Sequence, residues 1–155
     1  GMTHTQFNDD VNRVIGKEAY GYRKKEDGEF ELYMTNLSYV GDGGIYTSID
    51  DFLAWDQNYY ANRLGKADPQ LISTMQTPGP LTRVKEEGKE TQYAMALELS
   101  DFEGHQRISH SGSWVAFSTY YARIPDLKFS VVTFCNSSEA SAPGLAEKVI
   151  HAYLD

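Results

Sequence analysis

The sequence is short of cysteine, of proline and of positive charge. Its 155 residues hold one cysteine, five prolines and fourteen Lys and Arg against twenty-two Asp and Glu. A single cysteine excludes an intramolecular disulfide. Cys135 lies in the apolar run FSVVTFCN and reads as a small packed residue, since nothing beside it activates a thiolate. The net charge of −8 repels phosphate backbones and anionic membrane surfaces, so nucleic acid is not an expected partner. No apolar run approaches the length of a membrane span, and the first residues do not read as a signal peptide. The four histidines and the cysteine show no metal-ligand spacing, so neither a metal nor another cofactor is expected.

What is present is enough for a core. Hydrophobic residues make up 41% of the chain and aromatics 13%, with eleven tyrosines. At this length a single domain, residues 1–155, is expected. The first dozen residues are polar and aperiodic. Two partly alternating arms around Glu26-Asp27-Gly28 predict a hairpin. Gly41-Asp42-Gly43-Gly44 predicts a tight turn with positive φ. Ser48 followed by Asp51 opens a helix from about Ile49 to Ala61, ended by Leu64-Gly65. Asp68 and Pro69 open a short second helix with Leu71, Ile72 and Met75 inward. Leu81 to Glu90 is charged and loop-like. The last third reads as strands: TQYAMALELS, then GHQRISHSG, then FSTYYARIP and KFSVVTFCN paired around Pro125-Asp126-Leu127. Ser141 caps a final helix whose apolar face is Leu145, Ala146, Val149, Ile150, Tyr153 and Leu154. The class is α+β, an antiparallel sheet with packed helices.

The candidate chemistry sits at His110-Ser111-Gly112-Ser113. Gly112 admits a close ligand, the two serine hydroxyls can bond a polar substrate, and an edge-strand amide at Ser113 can stabilise an oxyanion. Four residues alone read rather as a β-turn or strand end rich in serine and glycine. The Gly41–Gly44 cluster lacks the lysine and spacing of a phosphate-binding loop and reads as a structural turn. Tyr60-Ala61-Asn62 continues the apolar side of the first helix and reads as core packing. His105 and His151 read as surface residues without partners, and Asp50 and Asp51 as charge favourable to a helix N-terminus.

Taken in order, YVGDGGIYTSIDDFLAWDQNYY, MQTP, YAMAL, ISHSGSW and RIPDLKFSVVTFCN resemble the C-terminal half of the serine β-lactamase-like hydrolases. That family includes class C β-lactamases, D-alanyl-D-alanine carboxypeptidases and related esterases. The opening GMTHTQF resembles the family's Gly-Met-x-x-Thr-x-Phe segment, so the likeness runs over nearly the whole chain. It implies the C-terminal part of the β-lactamase/transpeptidase-like fold. It also implies chemistry in which the serine of a Ser-x-x-Lys motif attacks a small-molecule acyl substrate and water releases the acyl-enzyme. By the same resemblance His110 and Ser111 engage the substrate's acyl side or carboxylate, Gly112 leaves room, and the Ser113 amide is one of two oxyanion donors. Relatives of this kind work in the cell envelope or outside the cell.

One departure matters. No serine here is followed three residues later by lysine, and Tyr60-Ala61-Asn62 falls after the glycine turn, where the family's catalytic Tyr-x-Asn does not lie. The expectation is therefore a groove wall without its nucleophile, inactive alone. A free-standing module that binds a peptide, a peptidoglycan stem or a protein is the alternative. An independent enzyme built on His110 and a tyrosine is disfavoured, since no activated nucleophile can be named. A sheet lacking its N-terminal complement leaves an edge or face open, which predicts a homodimer there.

Overall fold

The computed structural model describes all residues except 37, 39, 65–67, 81–82 and 87–88, with residues 83–86 and 89 described by backbone alone. In chain order the elements are β1 (Gln6–Phe7), β2 (Tyr22–Lys24), β3 (Phe30–Leu32), β4 (Ile45–Tyr46), α1 (Ile49–Ala61), α2 (Leu71–Met75), β5 (Arg83–Glu86), β6 (Lys89–Tyr93), β7 (Glu98–Phe102), β8 (His105–Trp114), β9 (Phe117–Ile124), β10 (Phe129–Cys135) and α3 (Ala142–Leu154). Six strands form one antiparallel sheet in the order β10-β9-β8-β7-β6-β5, and β1–β4 and β2–β3 are separate two-stranded pairs. The expected α+β class with an antiparallel sheet holds.

Period-two alternation along β9 sends its residues to two different cores. Tyr120, Ala122 and Ile124 face α3 and cluster with its Ala142, Ala146 and Ile150. The small residues at 142 and 146 bring the helix backbone close to the strand. Ser141 begins α3 by accepting from the Gly144 amide at 3.2 Å, and Thr133 fixes the helix start by donating to the Ala142 carbonyl at 2.9 Å. The buried face is narrower than the apolar pattern, because Leu145 and Val149 are exposed and Tyr153 touches the sheet only at Phe129.

The odd residues of β9 face α1. Arg123 is 3% exposed, and its Nε lies 3.4 Å from Asp56 Oδ1. The same carboxylate oxygen accepts from the Tyr121 hydroxyl at 2.5 Å, which leaves Arg123 Nε in an ion pair without a hydrogen bond. The guanidinium lies over the Tyr59 ring at 4.0 Å and the Tyr60 ring at 5.1 Å. Burial, then the bond to Asp56, pushes the Tyr121 phenol far above its ordinary value, so it stays a donor. Burial likewise raises Tyr59.

Several local expectations change on contact with the structure. The polar N-terminal dozen contributes β1, paired with β4 as Gln6↔Tyr46 and Phe7↔Ile45. Asp51 does more than balance a helix end. It is 4% exposed and accepts from the His4 amide at 2.8 Å and the Thr5 hydroxyl at 2.6 Å, tying the N-terminal segment to α1. The Thr5 bond in particular holds its carboxyl below the usual range. Ser48 caps α1 as expected, accepting from the Asp51 amide at 3.2 Å. The helix stops earlier than Leu64-Gly65: Asn62, at φ 43°, closes it, and Asn58 Oδ1 takes the Leu64 amide. Gly65 itself lies outside the described residues. TQYAMALELS is two strands, because the chain reverses at residues 94–97, where Ala96 sits at φ 53° and the Ala94 amide bonds the Leu97 carbonyl. No glycine, proline or asparagine marks that turn. The described backbone of the loop-like 81–90 stretch pairs as the outer hairpin β5–β6. His105 and His151 do have partners: Asp126 at 2.6 Å and Glu103 at 3.0 Å.

Removing Arg123 leaves the Asp56 carboxylate with Tyr121 alone. Breaking a buried ion pair costs about 3–5 kcal/mol. Asp56 keeps some solvent contact, so we expect Arg123→Met to cost about 3 kcal/mol and to lower Tm by roughly 6–12 °C at this chain length. An unchanged thermal transition would show that the pair does not hold α1 in place.

Candidate active site

The site is set by where one strand stops. β7 begins its pairing with β8 at Glu98↔Ser109, whereas β8 runs on through Trp114. Residues 110–114 are therefore bonded to β9 on one side and open on the other. The β8–β9 turn has two residues, Val115 and Ala116, and its closing pair is Trp114↔Phe117. In such a hairpin the closing pair exchanges both of its hydrogen bonds, and narrow and wide pairs then alternate. His110, Gly112 and Trp114 bond to β9. Ser111 and Ser113 turn their N–H and C=O groups to the open side. β8 as a whole is an interior strand, but at Ser113 it is locally an edge.

The four sequence-predicted residues are thus consecutive on one half-open strand. His110, Ser111 and Ser113 are exposed. Gly112 has a requirement of its own: a Cβ there would lie 2.5 Å from Thr119 Oγ1 on β9. The missing side chain makes space for Thr119, whose hydroxyl reaches the Gly112 carbonyl at 3.4 Å.

The ends of this wall are also held. Trp114 Nε1 donates to Thr35 Oγ1 at 2.7 Å. The β2–β3 hairpin meets the turn at Gly21, where a Cβ would lie 2.9 Å from the Ala116 Cβ and 2.7 Å from the Tyr33 carbonyl oxygen. Val115 is at φ 55°, a rare conformation for a β-branched residue. At the other end Tyr93, which closes β6, places its hydroxyl 2.9 Å from His110 Nε2. Sequence spacing gives no signal for that contact, which joins positions 17 residues apart across an intervening strand. A depression lined among the described residues by Pro78, Gly79, Pro80 and Gln92 lies beside Tyr93.

Tyr60-Ala61-Asn62 is not brought to this wall. Tyr60 packs under Arg123, and the Asn62 amide donates to the Asp68 carbonyl. Cys135 is half-buried beside the α3 core. Among the described residues no group of three or more His, Cys, Asp or Glu is placed to hold a metal ion, and no helix is long and apolar enough to cross a membrane.

Comparison with known proteins gives a consistent answer. Residues 1–154 match the family model described as Beta-lactamase. The D-aminopeptidase of Gluconobacter oxydans (strain 621H) is 21% identical over 135 residues, covering 87% of this chain and 25% of that protein. The D-aminopeptidase of Brucella ovis is 23% identical over 141 residues, covering 91% of this chain and 26% of that protein. The chain thus spans about a quarter of these relatives. Two solved structures share the fold. The octameric penicillin-binding protein homologue from Pyrococcus abyssi superposes with TM-score 0.80 at 23% identity, over 99% of this chain and 34% of its own. A penicillin-binding protein from Bacillus halodurans gives TM-score 0.77 at 19% identity, over 99% and 45%.

The Gly112–Thr119 contact can be measured as a coupling. Gly112→Ala should destabilise the protein, and the same change in a Thr119→Ala background should cost less. A double-mutant cycle is expected to return about 0.5–3 kcal/mol of interaction between neighbours of this kind. Additive effects in chemical denaturation would place the origin of the glycine elsewhere.

Proposed function

The chain belongs to the beta-lactamase family, and from that premise we propose that it is the C-terminal portion of a serine hydrolase, supplying a groove wall to acyl transfer but not the attacking group. The observation carrying this reading is a pairing: residues 1–154 match the family, yet no serine stands three residues before a lysine.

On this reading the Ser113 amide, aimed off the open side of β8, is one of two donors to the oxyanion of a tetrahedral intermediate. Removing one such donor from a complete site typically costs 10²–10³-fold in rate, about 2.7–4 kcal/mol. His110 and Ser111 meet the acyl side or carboxylate of the substrate. A nucleophile and its base act as a unit, so a wall without them gives up most of the rate enhancement. The substrate class of the whole protein is an amide, lactam or ester. The D-aminopeptidase relatives favour a D-residue peptide within that class over a carboxypeptidase or esterase substrate.

A second reading, a binding module, draws support from the exposed aromatic at the end of the wall, Trp114 at 46%. Saturable binding of a D-residue peptide without turnover fits both readings. Binding that survives burial of the wall by a complementing N-terminal half fits the second alone.

We also propose that the outer edge of β10 joins two copies of the chain. β10 ends the six-stranded sheet, and Leu145, Val149 and Tyr153 form an exposed stripe at helical spacing on α3, above that side. Tyr153 stacks on Phe129 of β10 at 4.2 Å. Tyr22 bridges Ser137 just past the strand's end, and among the described residues no strand pairs with the outer side of β10. Unpaired strand edges favour association.

Two measurements check these proposals. Incubated with a chromogenic cephalosporin, a nitrophenyl ester and a D-alanine anilide, the chain should give no turnover above a denatured control. Sustained turnover sinks the first proposal. In sedimentation the chain should dimerise with rising concentration, and Val149→Lys should shift it to monomer. A monomer throughout rules the dimer out.

A further inference from the structure

We propose that Tyr93 is a positioning residue: it orients the His110 ring so that the ring covers the Ser111 carbonyl, the acceptor lying between the two open-side amides of Ser111 and Ser113. That this edge is an acyl groove rests on the function proposed above. The arrangement of the three residues does not.

The chain of bonds has one consistent direction. The Ser111 carbonyl faces the side that β7 has vacated, so the sheet offers it no donor. His110 Nδ1 lies 2.6 Å from that oxygen. A carbonyl only accepts, so Nδ1 carries a proton. A neutral ring protonated at Nδ1 has its acceptor lone pair at Nε2, and the Tyr93 hydroxyl sits 2.9 Å from Nε2. In the neutral ring Tyr93 therefore donates to His110, and His110 donates to Ser111. The two rings meet edge to face with centroids 5.9 Å apart, which limits rotation of the imidazole.

Tyr93 is itself held in place. Its backbone pairs with Glu98 at the last rung of β6 and β7, and its carbonyl accepts from the Gly79 amide at 3.3 Å. An exposed histidine on a strand end would otherwise exchange rotamers and tautomers freely. Here the Tyr93 side chain, on the last rung of β6, reaches past the end of β7 to fix a ring on β8. The chemical result concerns oxygen-bearing ligands. An oxyanion or carboxylate approaching the Ser113 amide along this edge would be repelled by the lone pairs of a bare carbonyl at Ser111. With Nδ1–H directed onto that carbonyl the repulsion is reduced, and the edge favours acyl oxygens.

The test reads the ring directly, on the intact chain and without substrate. Two-bond ¹⁵N–¹H correlation of the imidazole, at a pH where the ring is neutral, should show His110 as the Nδ1–H tautomer with Nε2 accepting a hydrogen bond. In Tyr93→Phe, which keeps the ring and loses the hydroxyl, the Nε2–H tautomer should appear. The Ser111 carbonyl carbon should shift as well, while the amide spectrum of β9 and α3 stays in place. Dominant Nε2–H tautomer in the unaltered protein overturns the proposal. So do His110 resonances that do not move in Tyr93→Phe. Should that variant not fold, the tautomer of the unaltered protein decides alone. Turnover plays no part in this measurement, so its outcome is separable from the failure of the hydrolase reading.

Discussion

The arrangement turns on a difference in strand length. β8 extends five residues past its last pair with β7, Ser109↔Glu98, to reach Trp114. That overhang is what converts an ordinary interior strand into a surface able to receive another backbone or a ligand. It satisfies half of each peptide's hydrogen bonding through β9 and leaves the other half, apart from the Ser111 carbonyl covered by His110, available in fixed orientation. Leaving backbone groups unpaired is costly where they are buried. Here they are exposed at Ser111 and Ser113, so the opening is compatible with a stable sheet. Its position follows from the turn at residues 94–97, which ends β6 and starts β7, and from the two-residue turn at Val115-Ala116, which fixes the pairing phase of β8 and β9.

An overhang is useful only on a rigid strand, and β9 supplies the rigidity. It is covered on both faces, by α3 over Ala122 and Ile124 and by α1 over Tyr121 and Arg123. The α3 side is apolar. The α1 side relies on a buried cation held between one carboxylate and two tyrosine rings, and charged groups out of water are tolerated only with such partners. Asp51 extends the same helix's influence to the N-terminal segment through Thr5 and His4. Helix α1 is therefore the piece to which the sheet and the first strands are both attached.

Much of this was legible from residue order alone. The helix over Ile49–Ala61, its Ser48 cap, the Ser141 cap of α3 and the turn at Pro125 all follow from local signals that the structure keeps. The family likeness read from ISHSGSW and its neighbours agrees with the family match over residues 1–154. What stayed hidden was tertiary. A left-handed Ala96 carries no turn signature, so one apparent strand concealed a hairpin. Asp51 looked like helix-end charge because its partners lie some 46 positions away. His105 and His151 found acidic partners that spacing does not reveal, and Tyr93 reaches His110 across an intervening strand. Gly112 reads in sequence as room for a ligand; that a Cβ there would also meet Thr119 on the next strand is a tertiary fact that residue order does not carry.

The central claim is that the Ser111 and Ser113 amides are unpaired donors on an otherwise bonded strand. Residue-resolved amide hydrogen exchange of the native protein tests it most directly. An alternating pattern is expected, with His110, Gly112 and Trp114 slow through their bonds to β9 and Ser111 and Ser113 exchanging at least an order of magnitude faster, as solvated backbone does. Uniform protection from residue 110 to 114, with the Ser113 amide as slow as that of Gly112, would mean that the edge is already occupied and that no open donor exists there.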